Sequence, residues 1–90
     1  MKYKRFELIE RLEHIMNDEL RPIKDRIKAA KSLIRHKQDS EYTELKVVPI
    51  FENIMENDEA YSIEATNFLI SISSMYENNF IELDEESFET

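Results

Sequence analysis

The chain has 90 residues, a formal net charge of −8, 36% charged and 41% hydrophobic residues, and no glycine, cysteine or tryptophan. Glycine supplies the positive φ angles of tight hairpin turns and phosphate-binding loops, so its absence disfavours β architectures and nucleotide-loop enzymes. Without cysteine there are no disulfides, thiol nucleophiles or cysteine zinc sites, and we expect a small all-α domain that needs no cofactor.

The first predicted element is a long helix over residues 3–36. Its apolar residues follow alternating three- and four-residue steps, which is a heptad pattern and favours a homodimer packed along this apolar seam. Pro22 lies off the seam, so we expect it to kink the helix. The alternative is two helices that turn at Asn17 and Asp18, with Pro22 in the first turn of the second helix. The seam consists of Phe6, Ile9, Met16, Leu20, Ile23, Ile27, Ala30 and Ile34.

Two shorter helices are predicted after a break at Gln38, Asp39 and Ser40, which completes a small bundle of about three helices. The first covers residues 41–56 and contains Pro49, so we expect a bend or a break between Val47 and Ile50. The second covers residues 59–77 and is capped by Asn57 and Asp58. Helical spacing places its apolar residues on one face: Tyr61, Ala65, Phe68, Ile72 and Met75.

The chain divides into a helical domain, residues 1–79, and an acidic tail, residues 80–90. No stretch approaches the roughly 20 apolar residues that span a bilayer, and the N-terminal sequence MKYKRFELIERLEH lacks the apolar run of a signal peptide. We therefore expect a cytoplasmic protein that does not bind membranes.

Charge is divided between the two halves of the chain. Residues 1–37 contain eleven Lys or Arg and six Asp or Glu, a net charge of +5. Residues 38–90 contain one lysine and fourteen acids, a net charge of −13, and the two values add to −8. Such asymmetry indicates either that the halves neutralise each other or that each faces a partner of its own.

A basic stripe lies along the second half of the first predicted helix. Its spacing of three and four residues places five cations on one face, which is one way to contact the phosphates of a nucleic acid. The negative net charge disfavours that function, so we expect the stripe to be solvated or to meet the acids Glu41, Glu44, Glu52, Glu56 and Glu59. The basic stripe consists of Arg21, Lys24, Lys28, Lys31 and Arg35.

The acidic half and its tail are the predicted partner-binding region. Carboxylates held on helices can imitate the phosphates of DNA, or can steer a partner protein toward apolar anchors. The alternative is that these carboxylates form a solvated surface that binds no partner. We predict a non-enzymatic regulator or inhibitor of another protein, of the kind that phages and mobile elements encode, with nucleic-acid binding through the basic stripe as the alternative. The predicted partner-binding residues are Phe80, Ile81, Glu82, Leu83, Asp84, Glu85, Glu86 and Phe88.

Catalytic and metal-binding patterns are weak. Glu10, His14 and Asp18 share a helix face at four-residue spacing, but helical metal sites need further ligands from other helices. Solvated charge pairs account for Glu10 and Asp18 better than a metal does. His36 suits the C-terminal end of a helix as a cation. We predict no catalytic residue and no metal site.

Overall fold

The computed structural model describes residues 1–77, within which the chain forms helices and no strand. The predicted all-α class is confirmed. The chain divides into two compact units, of which the first is Met1–Asp39 and the second begins at Ser40. The predicted boundary at residue 79 and the tail, residues 80–90, lie outside the described residues.

The first unit contains two helices, α1 (Arg5–Asn17) and α2 (Ile23–Lys37). The prediction of one kinked helix over residues 3–36 is therefore wrong, and the alternative of two helices that turn at Asn17 and Asp18 is confirmed. Pro22 stands as the N-terminal cap of α2, where its missing N–H removes no intrahelical hydrogen bond.

Asp18 organises the turn between these helices. Its Oδ1 atom accepts a hydrogen bond from the N–H of Leu20 at 3.0 Å, and its carbonyl accepts one from the N–H of Arg21 at 3.1 Å. Its Oδ2 atom lies 3.7 Å from Nε of Arg21. An aspartate that bonds to the backbone two residues later competes with the helix, and Pro22 disfavours helical geometry at Arg21. Together they end α1.

The two helices pack as an antiparallel hairpin. Arg5 near the start of α1 bonds to the carbonyl of His36 near the end of α2, which sets the direction. The apolar seam is divided by the turn: Met16 and Ala30 are buried, whereas Phe6 is 64% exposed and Leu20 is 95% exposed. A continuous heptad interface from Phe6 to Ile34 is therefore absent from this unit, and the homodimer loses the sequence argument first made for it.

Gln38 ends α2 in the left-handed conformation, with φ 46° and ψ 47°. Its N–H donates to the carbonyl of Ile34 at 2.9 Å. Glycine is the usual residue at this position, and a side chain there costs roughly 1–2 kcal/mol. A chain without glycine accepts that cost at this helix end.

The second unit begins with a continuous helical segment, α3, which runs through Ser40–Tyr42, a π-helical turn at Thr43–Val47, and Val48–Asn57. The π turn is marked by the N–H of Val48, which bonds to the carbonyl of Thr43. The predicted helix over residues 41–56 is confirmed, and of the bend or break expected between Val47 and Ile50, the break is not found. The irregularity ends at Val47, so Pro49 falls in the first turn of a regular helix, where its missing N–H matters least.

The last helix, α4, is Ser62–Glu77. It starts three residues later than predicted because Asp58 holds a turn before it: its Oδ1 accepts the N–H groups of Ala60 at 3.0 Å and Tyr61 at 3.3 Å. The second half of α3 packs against α4 through the rings of Phe51 and Phe68, whose centroids are 4.6 Å apart in an edge-to-face arrangement. Buried Ile54, Ala65 and Ile72 complete this core, as the helical spacing predicted for α4.

Among the described residues, no helix has the length and apolar character needed to cross a membrane.

Candidate binding surfaces

The predicted anchors in the tail lie outside the described residues. The structure therefore neither places nor tests these eight side chains, which are Phe80, Ile81, Glu82, Leu83, Asp84, Glu85, Glu86 and Phe88.

An acidic surface lies on the described part of the second unit. Its carboxylates are exposed, and within residues 40–77 no cation of the second unit forms an ion pair with any of them. Lys46, itself exposed, is the one cation of residues 38–90. The acidic surface consists of Glu41, Glu44, Glu52, Glu56 and Glu59.

The densest part of the acidic surface is at the end of α3. Glu52 and Glu56 are one helical turn apart, an arrangement that destabilises a helix by about 0.2–0.5 kcal/mol. Glu56 also stands in the last turn, which has no basic residue and where the helix dipole disfavours negative charge by about 0.3–1 kcal/mol. These carboxylates lower the stability of the helix that carries them, so the fold itself does not account for them.

The basic stripe is exposed on the first unit. Lys24, Lys28, Lys31 and Arg35 lie on α2, whereas Arg21 lies in the turn before it and pairs with Asp18. Within residues 1–39, no acid forms an ion pair with the three lysines. In its own unit the three lysines are exposed without an ion pair, and only Arg21 of the stripe pairs with an acid of residues 1–39.

Glu10, His14 and Asp18, predicted to share a helix face, lie along one groove but do not form a cluster. All three side chains line an open groove of about 890 Å³ beside α1. They do not converge, since among the side chains that the structure describes no three His, Asp or Glu lie close enough to hold a metal ion. The groove offers solvated charges and no coordination site.

Two arginines that the sequence analysis did not single out hold the ends of the first hairpin. Nε of Arg26, a residue only 7% exposed, donates to the carbonyl of Met16 at 2.9 Å. Nη2 of Arg5 donates to the carbonyl of His36 at 2.9 Å. Each arginine thus satisfies a carbonyl in the last turn of the other helix, where a cation also suits the helix dipole. Periodicity places Arg26 on α2 but does not reveal that its bonding partner is on α1.

Three apolar side chains of the second unit are unexpectedly exposed. Leu45, in the π-helical turn, is 63% exposed, while Ile63 and Ile70 of α4 are 75% and 58% exposed. The π turn changes the angular position of Leu45 relative to the residues after it. The two isoleucines lie outside the predicted core face of α4, and their exposure is recognised only once the buried face is known.

No protein-family model, curated protein or solved structure matches this chain.

Proposed function

We propose that this protein is a small non-enzymatic regulator or inhibitor that acts by binding a partner protein with a basic surface. The acidic surface of the second unit attracts and orients the partner. The tail, residues 80–90, supplies apolar anchors beside further carboxylates, and one form of this activity is competition with DNA for a basic cleft.

The observation that carries the proposal is the uncompensated charge at the end of α3. Glu52 and Glu56 are exposed and destabilise their own helix end, as argued above, and exposed Glu59 follows two residues after that end. Asp58, which lies among them, differs because its carboxylate bonds to the N–H groups of Ala60 and Tyr61. The charges of Glu52 and Glu56 lower the stability of their own helix, which supports a role for them in binding. At an interface, surface charge contributes mainly long-range attraction and specificity.

The tail is included because of its composition. After Glu77 the chain has five further acids, no basic residue and four large apolar side chains. Surface carboxylates alone give fast encounter and modest affinity, whereas buried apolar anchors dominate the binding energy of most interfaces. The proposal therefore assigns attraction to the acidic surface and affinity to Phe80, Ile81, Leu83 and Phe88.

The test starts with capture of the partner from a host lysate at about 150 mM salt, where charges more than about 8 Å apart are largely screened. We expect the captured protein to have a basic surface and the affinity to fall as salt rises. Glu52→Gln with Glu56→Gln should weaken binding about tenfold, mainly through the association rate. Truncation after Asn79 should weaken it further and mainly raise the dissociation rate.

The matched control is Glu10→Gln with Glu19→Gln, which changes the net charge equally at two exposed acids of the first unit. We expect it to change the affinity less than about twofold. Equal loss in both double variants would mean that net charge alone is sensed. A partner bound equally well by all variants would contradict the proposal.

The basic stripe supports a second candidate function, which is nucleic-acid binding through α2. Lys24, Lys28, Lys31 and Arg35 extend along about 16 Å of helix, at a rise of about 1.5 Å per residue, and all four are exposed. A row of this length can contact several phosphates of one strand. The net charge of −8 argues against it, because the acidic half repels the same polyanion.

A labelled DNA duplex distinguishes the two candidates. We expect no retention at about 150 mM salt, because a stripe opposed by the net charge lacks the counterion-release energy needed. Micromolar retention that falls steeply with salt, and that Lys24→Glu with Lys28→Glu and Lys31→Glu abolishes, would establish the second candidate in place of the first.

A further inference from the structure

A single strained residue ends α2 shortly before α3 begins. Among the described residues, Gln38 is the one with a positive φ, 46°, and its side chain is exposed. A residue with a β-carbon is disfavoured in this left-handed conformation, and glutamine is a good helix former. Backbone strain of this kind is concentrated at functional sites and in segments that switch between conformations.

The hydrogen bond at this helix end also fits a helix that continues. The N–H of Gln38 donates to the carbonyl of Ile34 at 2.9 Å, which is the regular helical bond between residues four apart. A change of Gln38 to right-handed φ and ψ angles keeps this bond. It also lets the N–H groups at the start of α3 bond to the last carbonyls of α2, and both sets otherwise lack a partner within their own helix.

The sequence through the junction is compatible with one helix. Residues 23–48 contain no proline, and the chain contains no glycine. Buried residues of α2 and α3 also share one heptad register, because Leu33 and Val47 are two heptads apart. Asp39 and Ser40 oppose continuation, since both residue types favour the N-terminal cap of a helix. The buried residues in the shared register include Arg26, Ala30, Leu33, Val47, Phe51 and Ile54.

Each compact unit has contacts of its own that do not involve the junction. The bond of Arg26 to Met16 lies within the first hairpin, and the aromatic pair of the second unit lies between α3 and α4. The boundary between the units follows Asp39, next to the strained residue. Hinges are typically residues at the end of an element, where a large change in φ and ψ leaves the packed parts intact.

We propose that Gln38 is the hinge of a conformational switch. In the structure, Gln38 is left-handed and α2 ends there. In the second state, Gln38 is right-handed and α2 continues into α3 as one helix over residues 23–57. Most of the basic stripe and of the acidic surface then lie on a single helix. A partner that binds one state more tightly shifts the population toward that state, so the switch regulates how these surfaces are presented.

The test measures a distance across the junction. The chain has no cysteine, so spin labels can be attached at two introduced thiols. Lys31→Cys with Lys46→Cys places them at exposed positions of α2 and α3. One continuous helix separates these residues by about 22 Å along its axis, at about 1.5 Å per residue, and this distance marks the joined state. Dilution with unlabelled chain restricts the measurement to labels within one molecule.

Substitutions at the junction should shift the two states in opposite directions. Asp39→Ala with Ser40→Ala replaces the residues that oppose continuation by the best helix former, and should raise the ratio of joined to separate helices about tenfold. Adding Gln38→Gly should lower that ratio about 5–30-fold, because glycine adopts the left-handed conformation freely. Gln38→Ala, added instead, is the matched control. It keeps the β-carbon and should change the ratio less than about threefold.

A label pair within α2 confirms that the first unit stays folded. Lys24→Cys with Arg35→Cys should give about 16 Å in every variant. With that distance unchanged, absence of the 22 Å distance from the Asp39→Ala, Ser40→Ala variant would overturn the proposal. Equal ratios with glutamine, alanine and glycine at position 38 would also overturn it.

A second measurement tests the strain in the otherwise unchanged chain. Gln38→Gly alone should raise the denaturant concentration at the midpoint of unfolding, because it relieves the left-handed conformation of a residue with a β-carbon. Gln38→Ala should leave the midpoint nearly unchanged. A glycine variant that unfolds at the same or a lower denaturant concentration would show that Gln38 is not strained, and the hinge would lose its basis.

Discussion

Replacing Phe51 by alanine is expected to lower the free energy of unfolding by about 3–5 kcal/mol, the usual cost of removing a buried phenylalanine ring. Phe51 is fully buried, and its ring meets Phe68 edge to face at 4.6 Å. The alanine leaves a cavity and also removes the aromatic pair, which contributes about 0.5–1.5 kcal/mol beyond the burial of its apolar surface. For a chain of this size, each kcal/mol lowers the melting temperature by about 4–8 °C.

Thermal and denaturant unfolding, followed by far-UV circular dichroism, measures this loss. The matched control is Leu45→Ala, on the same helix segment but 63% exposed, and it should change the free energy of unfolding by less than about 1 kcal/mol. If the two variants unfold alike, Phe51 is not the centre of the second unit's core.

The core of the second unit was predictable from the sequence because its signal is local. Phe51, Phe68 and Ile72 are large apolar residues at helical spacing, and burial of such residues follows from periodicity alone. The helix ends were less predictable: the turn at Asp58 starts α4 three residues later than predicted, and Gln38 adopts the left-handed conformation that glycine usually takes.

The division of the first predicted helix was harder to foresee because two local effects compete. The apolar seam continues in phase through Pro22, which favours one helix, whereas the side chain of Asp18 bonds to the backbone of Leu20 and favours a turn. Periodicity reports only the phase of the apolar residues. It does not show whether one hydrogen bond and one proline are enough to end the helix. The turn then gives Met16 and Leu20, one helical turn apart in the seam, opposite environments: Met16 is 1% exposed and Leu20 95% exposed.

Only part of the binding surfaces was predictable from the sequence. The exposed lysines of α2 and the carboxylates of α3 were predictable, because helical spacing identifies the charged side chains that share an exposed face. Ile63 and Ile70 break the amphipathic pattern, and such departures become visible only when the buried face of α4 is known. The role of Arg26 depends on a contact between α2 and α1, with Met16 ten residues earlier in the sequence, which no periodicity encodes.

Replacing Arg26 by alanine is expected to lower the free energy of unfolding by about 2–4 kcal/mol, through three separable losses. The arginine stem is buried between the helices, so part of the loss is packing. The carbonyl of Met16 loses the donor that satisfies it, which costs about 1–3 kcal/mol for a buried acceptor. The negative end of the α1 dipole also loses its nearby cation.

Three further variants separate these losses, each measured by the free energy of unfolding in denaturant. Arg26→Met keeps most of the apolar stem, so its loss of about 1–3 kcal/mol reports the hydrogen bond and the charge. Arg26→Lys keeps a cation but not the Nε donor geometry, and should fall between methionine and the wild type. Arg5→Met removes the corresponding but exposed bond to His36, where water can replace the donor, so it should cost less than about 1 kcal/mol. Equal losses from Arg5→Met and Arg26→Met would mean that burial does not strengthen this bond, whereas a methionine variant more stable than the wild type would mean that desolvation of the guanidinium exceeds everything the bond contributes.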